Sequence, residues 1–368
     1  MTDVVAVFNA GSSSLKFSVF HQADLALVHQ GSADVPDTQD GQKIALQSAL
    51  TWLSSHKDGL QLKIAGHRVV HGKDRAAPAR ITPEILAELK TLIPLAPLHQ
   101  PHNLSIIEAL LAIHPGLPQI ACFDTAFHRT QPKLASMFAL PNHYYDDGIK
   151  RYGFHGISYE YIASELPKYA KAYGRVIALH LGNGASICAM RDLKSVGSSM
   201  GFSTLDGLMM GTRCGTLDAG VVLYMQQHLG MSADQVTQLL YHQSGLLGVS
   251  GISHDMRTLE ANHSAQAHEA IDLFCHMAAQ HVGSLTATLG GLDALIFTGG
   301  IGEHSARVRS QICRYFSWAG LSIDEKNNQQ NAAAIHAANS NIAAHVIPAD
   351  EALLIARACR GFFDKVAF

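Results

Sequence analysis

The stretch that most constrains this chain lies at its start. An unbroken apolar run, VVAVF at 4–8, enters a polar tip, NAGSSS at 9–14, and an alternating run, LKFSVF at 15–20, leaves it. Apolar strands on either side of a Gly/Ser turn read as a β-hairpin. Gly11 lets a ligand approach the backbone closely. The three hydroxyls of Ser12, Ser13 and Ser14 and the turn N–H groups supply donors, and Lys16 supplies a positive charge. Such a tip suits a phosphate. An ordinary hairpin with a soluble turn would have the same composition, and on this stretch alone that reading is slightly favoured. It is not a P-loop, because the chain has no G-x-x-x-x-G-K-[ST].

A second hairpin of the same build shifts the balance. VIALHL at 176–181 runs into GNGAS at 182–186, and ICAM at 187–190 leaves. Two strand–turn–strand units half a chain apart suggest two domains of one ancestry facing a shared cleft. A third apolar strand, ALIFT at 294–298, runs into GGIGE at 299–303, which reads as another glycine-rich turn. Three such turns, each after an apolar strand, point to a nucleotide site.

At 368 residues, two domains are expected. With 47% hydrophobic and 15% charged residues, the chain can bury sizeable cores. Its net charge of −3 comes from both signs mixed along the chain, so no nucleic-acid partner is expected. No basic n-region opens the sequence and no apolar run reaches spanning length, so neither a signal peptide nor a membrane partner is expected. Cys122, Cys188, Cys214, Cys275, Cys313 and Cys359 form no C-x-x-C and read as reduced thiols of a cytoplasmic protein.

Periodicity predicts strands at 62–65, 119–123, 176–181, 187–190, 294–298 and 342–347. It predicts helices at 46–53, 83–93, 103–113, 158–169, 218–229, 232–243, 265–288, 304–317 and 350–362. Residues 22–60 are otherwise weakly patterned. Alternating strands and helices give an α/β class. Ligands in α/β sheets sit beyond the carboxyl ends of strands. Arg68, Asp124 and His180 fall at such ends, and Arg213 lies in a glycine-flanked loop. Arginines with a carboxylate and histidines suit phosphoryl transfer, where charge on equatorial oxygens must be neutralised.

Three motifs read as chance. GSSMG at 197–201 fits the G-x-S-x-G nucleophile elbow, but a charged segment precedes it and a glycine-rich loop follows, whereas the motif needs a strand before and a helix after. His67 and His71 are four apart and His268-Glu269 is half a zinc motif; with 22 histidines such pairs arise by chance, and no structural zinc is expected.

These segments resemble the acetate kinase family, with its propionate kinase relatives, in the superfamily of acetate and sugar kinases, chaperone ATPases and actin. The resemblance covers FNAGSSSLKF at 8–17, GHRVVHG at 66–72, APLHQPHN at 96–103, FDTAFH at 123–128, RYGFHG at 151–156, HLGNGAS at 180–186, GLMMGTRCG at 207–215, SHDMR at 253–257 and FTGGIGEH at 297–304. It implies two ribonuclease-H-like (actin-like ATPase) domains with an interdomain active-site cleft. Residues 1–126 and 352–368 would form one domain, the final helix packing back on it, and 127–351 the nucleotide-binding other. It implies reversible transfer of the γ-phosphoryl of ATP to acetate or another short carboxylate, with Mg²⁺ or Mn²⁺, in a homodimer.

The resemblance also implies residue roles. Asn9, Ser12, Ser14 and Lys16 form the first phosphate turn. Arg68 and Arg213 flank the carboxylate and the transferring phosphoryl, and Asp124 is the essential acid. His155 and His180 contact the phosphoryl. Gly182, Asn183 and Gly184 form the second phosphate turn. Asp255, Met256, Arg257, Gly299, Gly300, Ile301, Gly302 and His304 surround the nucleoside. Glu351, with Asn9, serves the metal. Val70, Leu98 and Phe154 wall the acyl group, and Thr204 stands where members usually carry Pro. A carboxylate substrate is already ionised at neutral pH, so Asp124 is expected to position or polarise rather than act as a base.

His304 replaces a usual Asn. The segments 203–207, 215–219 and 349–352 also depart from the family's wording, and the chain is shorter than most members within 22–60. A non-catalytic nucleotide clamp would need neither arginine, and a serine hydrolase using Ser199 would leave the glycine turns unexplained.

Overall fold

The computed structural model describes residues 2–11, 13–38, 40–55, 59–169 and 173–366. The chain divides into two compact units. One is Met1–Arg129, His155–Tyr161 and Asp350–Phe368; the other is Thr130–Phe154 and Ile162–Ala349.

The first unit is built on a six-stranded sheet of β1 (Thr2–Ala10), β2 (Ser14–His21), β3 (Leu27–Asp34), β4 (Leu60–Val69), β5 (Ala79–Arg80) and β6 (Gln119–Phe123), in the order β3-β2-β1-β4-β6-β5. The second carries a five-stranded sheet of β7 (Arg175–Leu181), β8 (Ala185–Arg191), β9 (Lys194–Ser198), β10 (Ala294–Thr298) and β11 (Ala343–Val346), in the order β11-β10-β7-β8-β9. Both sheets follow one plan. An antiparallel meander, β1–β2–β3 or β7–β8–β9, is extended on its first strand by two parallel strands, β4 and β6 or β10 and β11. The expected hairpins are therefore present, one turning between Ala10 and Ser14 and the other with its tip at 182–184.

Successive strand residues point to opposite faces. Val4, Ala6 and Phe8 pack with Leu46, Ala49 and Leu50 of the helix Gly41–Ser55 and with Ile106 and Leu110 of the helix Gln100–Ile113. Val5 and Val7 pack on the opposite face with Ile355, Ala356 and Cys359 of the terminal helix Glu351–Val366. A strand covered on both faces needs an unbroken apolar run, which is why 4–8 reads as one. The terminal helix lies so close to β4 that a Cβ on Gly66 would stand 2.4 Å from Ile355 Cγ2. In the second unit, Ala267, Ala270, Ile271, Phe274, Ala278 and Val282 form the buried stripe of the long helix Ala265–Leu289.

Several expectations are corrected. Residues 22–60 hold the edge strand β3 and a full helix from Gly41 to Ser55. GGIGE is not a turn but the start of a short helix, Gly299–His304, and the helix expected at 304–317 begins separately as Ala306–Arg314. The charged stretch before Ser199 enters strand β9. Arg68 sits inside β4 rather than after it.

Burial also sets a pH limit on this fold. His67 and His71 are 1% and 0% exposed. Burial pulls both imidazoles down from 6.5 to about 4, with the Arg129 charge adding to the effect on His71. A group whose native pKa is lowered contributes stability above its unfolded pKa and loses it as pH falls through the native value. The unfolding free energy should therefore fall between pH 6.5 and 4, by about 3 kcal/mol per histidine. Urea midpoints measured across that window should decline, and His67→Phe should remove part of the slope. A flat profile from pH 6.5 to 4 would disprove the assignment.

Candidate active site

In the first unit the parallel neighbours β4 and β6 bring Arg68 and Asp124 together. The Arg68 fork closes on the carboxylate, Nε to Oδ1 at 3.1 Å and Nη2 to Oδ2 at 2.7 Å. Glu351, at the start of the terminal helix, lies 3.6 Å from Arg68 Nη1. Burial alone would lower the guanidinium pKa, but the charges of Asp124 and Glu351 and the hydrogen bond to Asp124 raise it well above its usual value. The Asp124 side chain is 2% exposed and Arg68 occupies both its oxygens. That geometry suits a carboxylate that positions.

Backbone contacts hold this cluster. Asp124 N–H donates to Val69 O at 3.1 Å, and its C=O accepts from Gly156 N–H at 2.8 Å. A Cβ on Gly156 would fall 2.2 Å from that carbonyl, so only glycine fits. His155, just before it, has φ of +56°, a left-handed backbone that a non-glycine residue adopts at a cost of roughly 1–3 kcal/mol.

Two buried amides, at positions read only as part of a motif, build the loop that follows β4. Asn103 accepts from Val70 N–H and donates to Ala10 O, both at 3.0 Å, and so ties that loop to the end of β1. Gln100 exchanges hydrogen bonds with both backbone groups of His71 at 3.1 Å. Gln42 Nε2 donates to Gly11 O at 2.7 Å and fixes the hairpin tip. Asn9, Ser14 and Lys16 flank that tip, and Asn9 and Lys16 face each other across the hairpin. Ser12 lies outside the described residues. Val70 is buried and Leu98 half-buried.

The second unit gathers the remaining residues. His180 lies near the end of β7, and Gly182, Asn183 and Gly184 form the tip beyond it. Asn183 O accepts from Gly211 N–H at 3.0 Å, and a Cβ on Gly211 would fall 2.0 Å from Asn183 Oδ1. That contact draws the glycine-flanked arginine loop against the tip at 182–184. Arg213 Nη1 donates to Thr204 O at 2.9 Å. Phe154 is fully buried.

A cavity of about 380 Å³ lies in this unit, lined by Gly182, Asn183, His254, Asp255, Met256, Arg257, Glu260, Gly300, Ile301, His304 and Ser305. It thus collects most of the residues expected around a nucleoside, and adds His254, Glu260 and Ser305. Asp255 caps the helix Met256–Glu260, and its carboxyl is held below its usual range by hydrogen bonds from Arg257. Ser305 Oγ donates to Glu260 at 2.5 Å and joins two walls. A volume of 300–1,000 Å³ is ordinary for a small-molecule site.

No group of three or more His, Cys, Asp or Glu able to hold a metal occurs among the described residues. The serine at the G-x-S-x-G stretch does have a strand before it, contrary to expectation, but no helix follows, and Ser199 is 4% exposed. Its Oγ accepts from Ile187 N–H at 2.8 Å. Ser199→Ala should therefore lower stability by about 1–3 kcal/mol while leaving turnover within a few-fold. Denaturation midpoints and kcat of the folded variant test this; loss of turnover without loss of stability would reinstate a nucleophile.

The sequence signature of the Acetokinase family matches residues 29–357. The chain is 47% identical to the acetate kinase of Rhodopseudomonas palustris, over 97% of this chain and 98% of that one. It is 44% identical to the acetate kinase of Methylocella silvestris over the whole of both. Among solved structures, a propionate kinase from Francisella tularensis superposes with a TM-score of 0.91 at 34% identity, covering 98% of this chain and 99% of that one. The acetate kinase of Porphyromonas gingivalis gives 0.88 at 32% identity, covering 98% and 100%.

Proposed function

The chain belongs to the acetokinase family, and we propose that the residues gathered in its two units carry the family's reaction in the following roles. The activity is reversible phosphoryl transfer from ATP to acetate, giving acetyl phosphate and ADP. The observation that carries the assignment of roles is the Arg68–Asp124–Glu351 cluster.

An acetate oxygen forms a bond to the γ-phosphorus as the bond to the β,γ-bridging oxygen breaks. Arg68 holds the acetate carboxylate, and Asp124 holds Arg68. Because both Asp124 oxygens are engaged and the substrate is already ionised, no proton needs to move at Asp124. Arg213 meets the charge on the transferring phosphoryl, where a planar fork can serve two oxygens. His155 and His180 donate to the same group. Asn9, Ser12, Ser14 and Lys16, and Gly182, Asn183 and Gly184, hold phosphates. The 380 Å³ cavity holds the nucleoside, with Asp255, Met256 and Arg257 on one side and the helix Gly299–His304 on the other. Val70, Leu98, Phe154 and Thr204 bound the acyl group, and propionate is accepted beside acetate.

Magnesium keeps several waters and takes one or two carboxylates besides substrate phosphates, so it needs no all-protein cage. Glu351, with Asn9, offers the hard oxygen donors, and Mg²⁺ or Mn²⁺ bound there would neutralise phosphate charge. The six cysteines are unpaired, which supports a cytoplasmic location. No described helix is long and apolar enough to cross a membrane.

Hydroxylamine traps acyl phosphates. With Mg-ATP and acetate the protein should yield acetyl hydroxamate, and excess EDTA should abolish it. Arg213→Lys should lower kcat by about 10³-fold, much as Arg213→Ala does, with a smaller change in KM for ATP. Equal rates in EDTA would remove the metal, and near-normal kcat in the Lys variant would remove Arg213 from its role.

A homodimer is part of the same reading. The helix Ala219–Gln227 buries none of its residues, and Val221, Leu223 and Tyr224 are 37%, 52% and 56% exposed. Exposed apolar side chains on a helix that buries none of its residues mark a contact surface, and a second copy of the chain is the proposed occupant. Light scattering should show a dimer that Leu223→Glu with Tyr224→Glu converts to monomer. A wild-type monomer, or a dimer unaffected by both changes, would refute the assignment.

A further inference from the structure

The helix Gly299–His304 forms against its own propensities. Three of its six residues are glycine, which disfavours a helix more than any residue but proline. Packing demands the first: Gly299 has φ of +76°, and a Cβ there would stand 2.7 Å from Leu181 O. At Gly300 a Cβ would meet nothing within 4 Å, and this residue lines the 380 Å³ cavity with Ile301 and His304.

Two side chains hold the helix by its ends. Glu303 Oε1 accepts from Gly299 N–H at 2.9 Å. Arg309, on the next helix, donates through Nη1 to Gly302 O and Glu303 O, both at 2.9 Å. Its remaining donors go to Asn328 and Asn331, at 2.6–2.8 Å. Arg309 is 0% exposed, and each of these hydrogen-bond acceptors is a neutral amide or carbonyl oxygen. Burying a guanidinium among neutral acceptors is costly, and a well-packed apolar residue would serve stability better. What the guanidinium adds is direction: a rigid fork that fixes two carbonyls at the end of a helix unable to hold itself.

We propose that Arg309 is a positioning residue for the nucleotide: it sets the shape of the Gly299–His304 wall without touching the ligand. This rests on the reading of the cavity as the nucleoside site. The test compares Arg309→Lys, Arg309→Met and Asn331→Ala, first by thermal melts to establish folding. Then come ADP affinity by calorimetry, KM for ATP, KM for acetate and kcat at saturating ATP. Arg309→Lys should weaken ADP and raise KM for ATP about tenfold, the loss of roughly one charge-assisted hydrogen bond. KM for acetate and kcat should stay within about threefold. Arg309→Met should lose more than the Lys variant. If neither folds, Asn331→Ala, which frees one Nη2 donor, should shift ADP affinity the same way by two- to threefold. Folded variants with unchanged ADP affinity, or with both KM values and kcat shifted together, would overturn the proposal. Gly300→Leu separates the premise from the inference, since it places a side chain in the open cavity. If it leaves ADP affinity intact, the nucleoside reading itself fails. If it weakens ADP while the Arg309 variants do not, only the role of Arg309 falls.

Discussion

The first unit depends on a guanidinium one residue short of the end of a strand. Arg68 lies within β4, half-buried, and is tolerable there only because Asp124 takes its fork and Glu351 adds a second negative charge. Removing either partner of such a pair leaves an uncompensated charge out of water, a loss of about 3–5 kcal/mol. The arrangement needs β6 to run parallel beside β4, the backbone bond from Asp124 to Val69, and the terminal helix to deliver its first residue to the same place. The sheet order, the return of the last helix and the glycine at 156 are all conditions for one ion pair.

Neutral clamps supply what charges cannot. Asn103, Gln100 and Gln42 bond backbone groups of segments 29 to 93 residues away, which turns flexible loops into fixed ones. Arg309 does the same in the second unit, with a charged group bonding to neutral acceptors.

The sequence disclosed elements in proportion to how much apolar surface they bury. β1, β2, β7, β8 and β10 lie inside their sheets, and their apolar runs announced them, as did the glycine tips. The missed strands β3, β5 and β9 lie at sheet edges. β3 alternates exposed and half-buried positions along its second half, and an edge strand with so little burial leaves little pattern to read. Helix Gly299–His304 was unreadable for the opposite reason: its composition argues for a turn, and a clamp from the following helix overrides it. Arg68, Asp124 and His180 were legible as candidates because polar groups at the ends of apolar strands demand a reason, and Arg213 because it stands among glycines. Asn103 and Arg309 were not, because their partners are carbonyls and amides that sequence spacing does not reveal.

Glycine explains why motif matching succeeded where periodicity failed. At Gly156, Gly211 and Gly299 a single added carbon would collide with Asp124 O, Asn183 Oδ1 or Leu181 O. Each collision partner belongs to a segment carrying a proposed ligand contact. The glycines are therefore spaced by where the backbone must come close to a functional segment, not by helix or strand period. The Gly-x-Ser-x-Gly stretch follows the same rule. Gly207 sits against the backbone of Ser199, where a Cβ would stand 2.7 Å from Ser199 O, and the serine hydroxyl caps a backbone N–H of β8. Of the motif's own glycines, Gly197 faces Leu285 of the long helix, where a Cβ would stand 3.0 Å from Cδ2, and Gly201 faces Asp206, where it would stand 2.5 Å from Oδ2, so packing accounts for the nucleophile pattern.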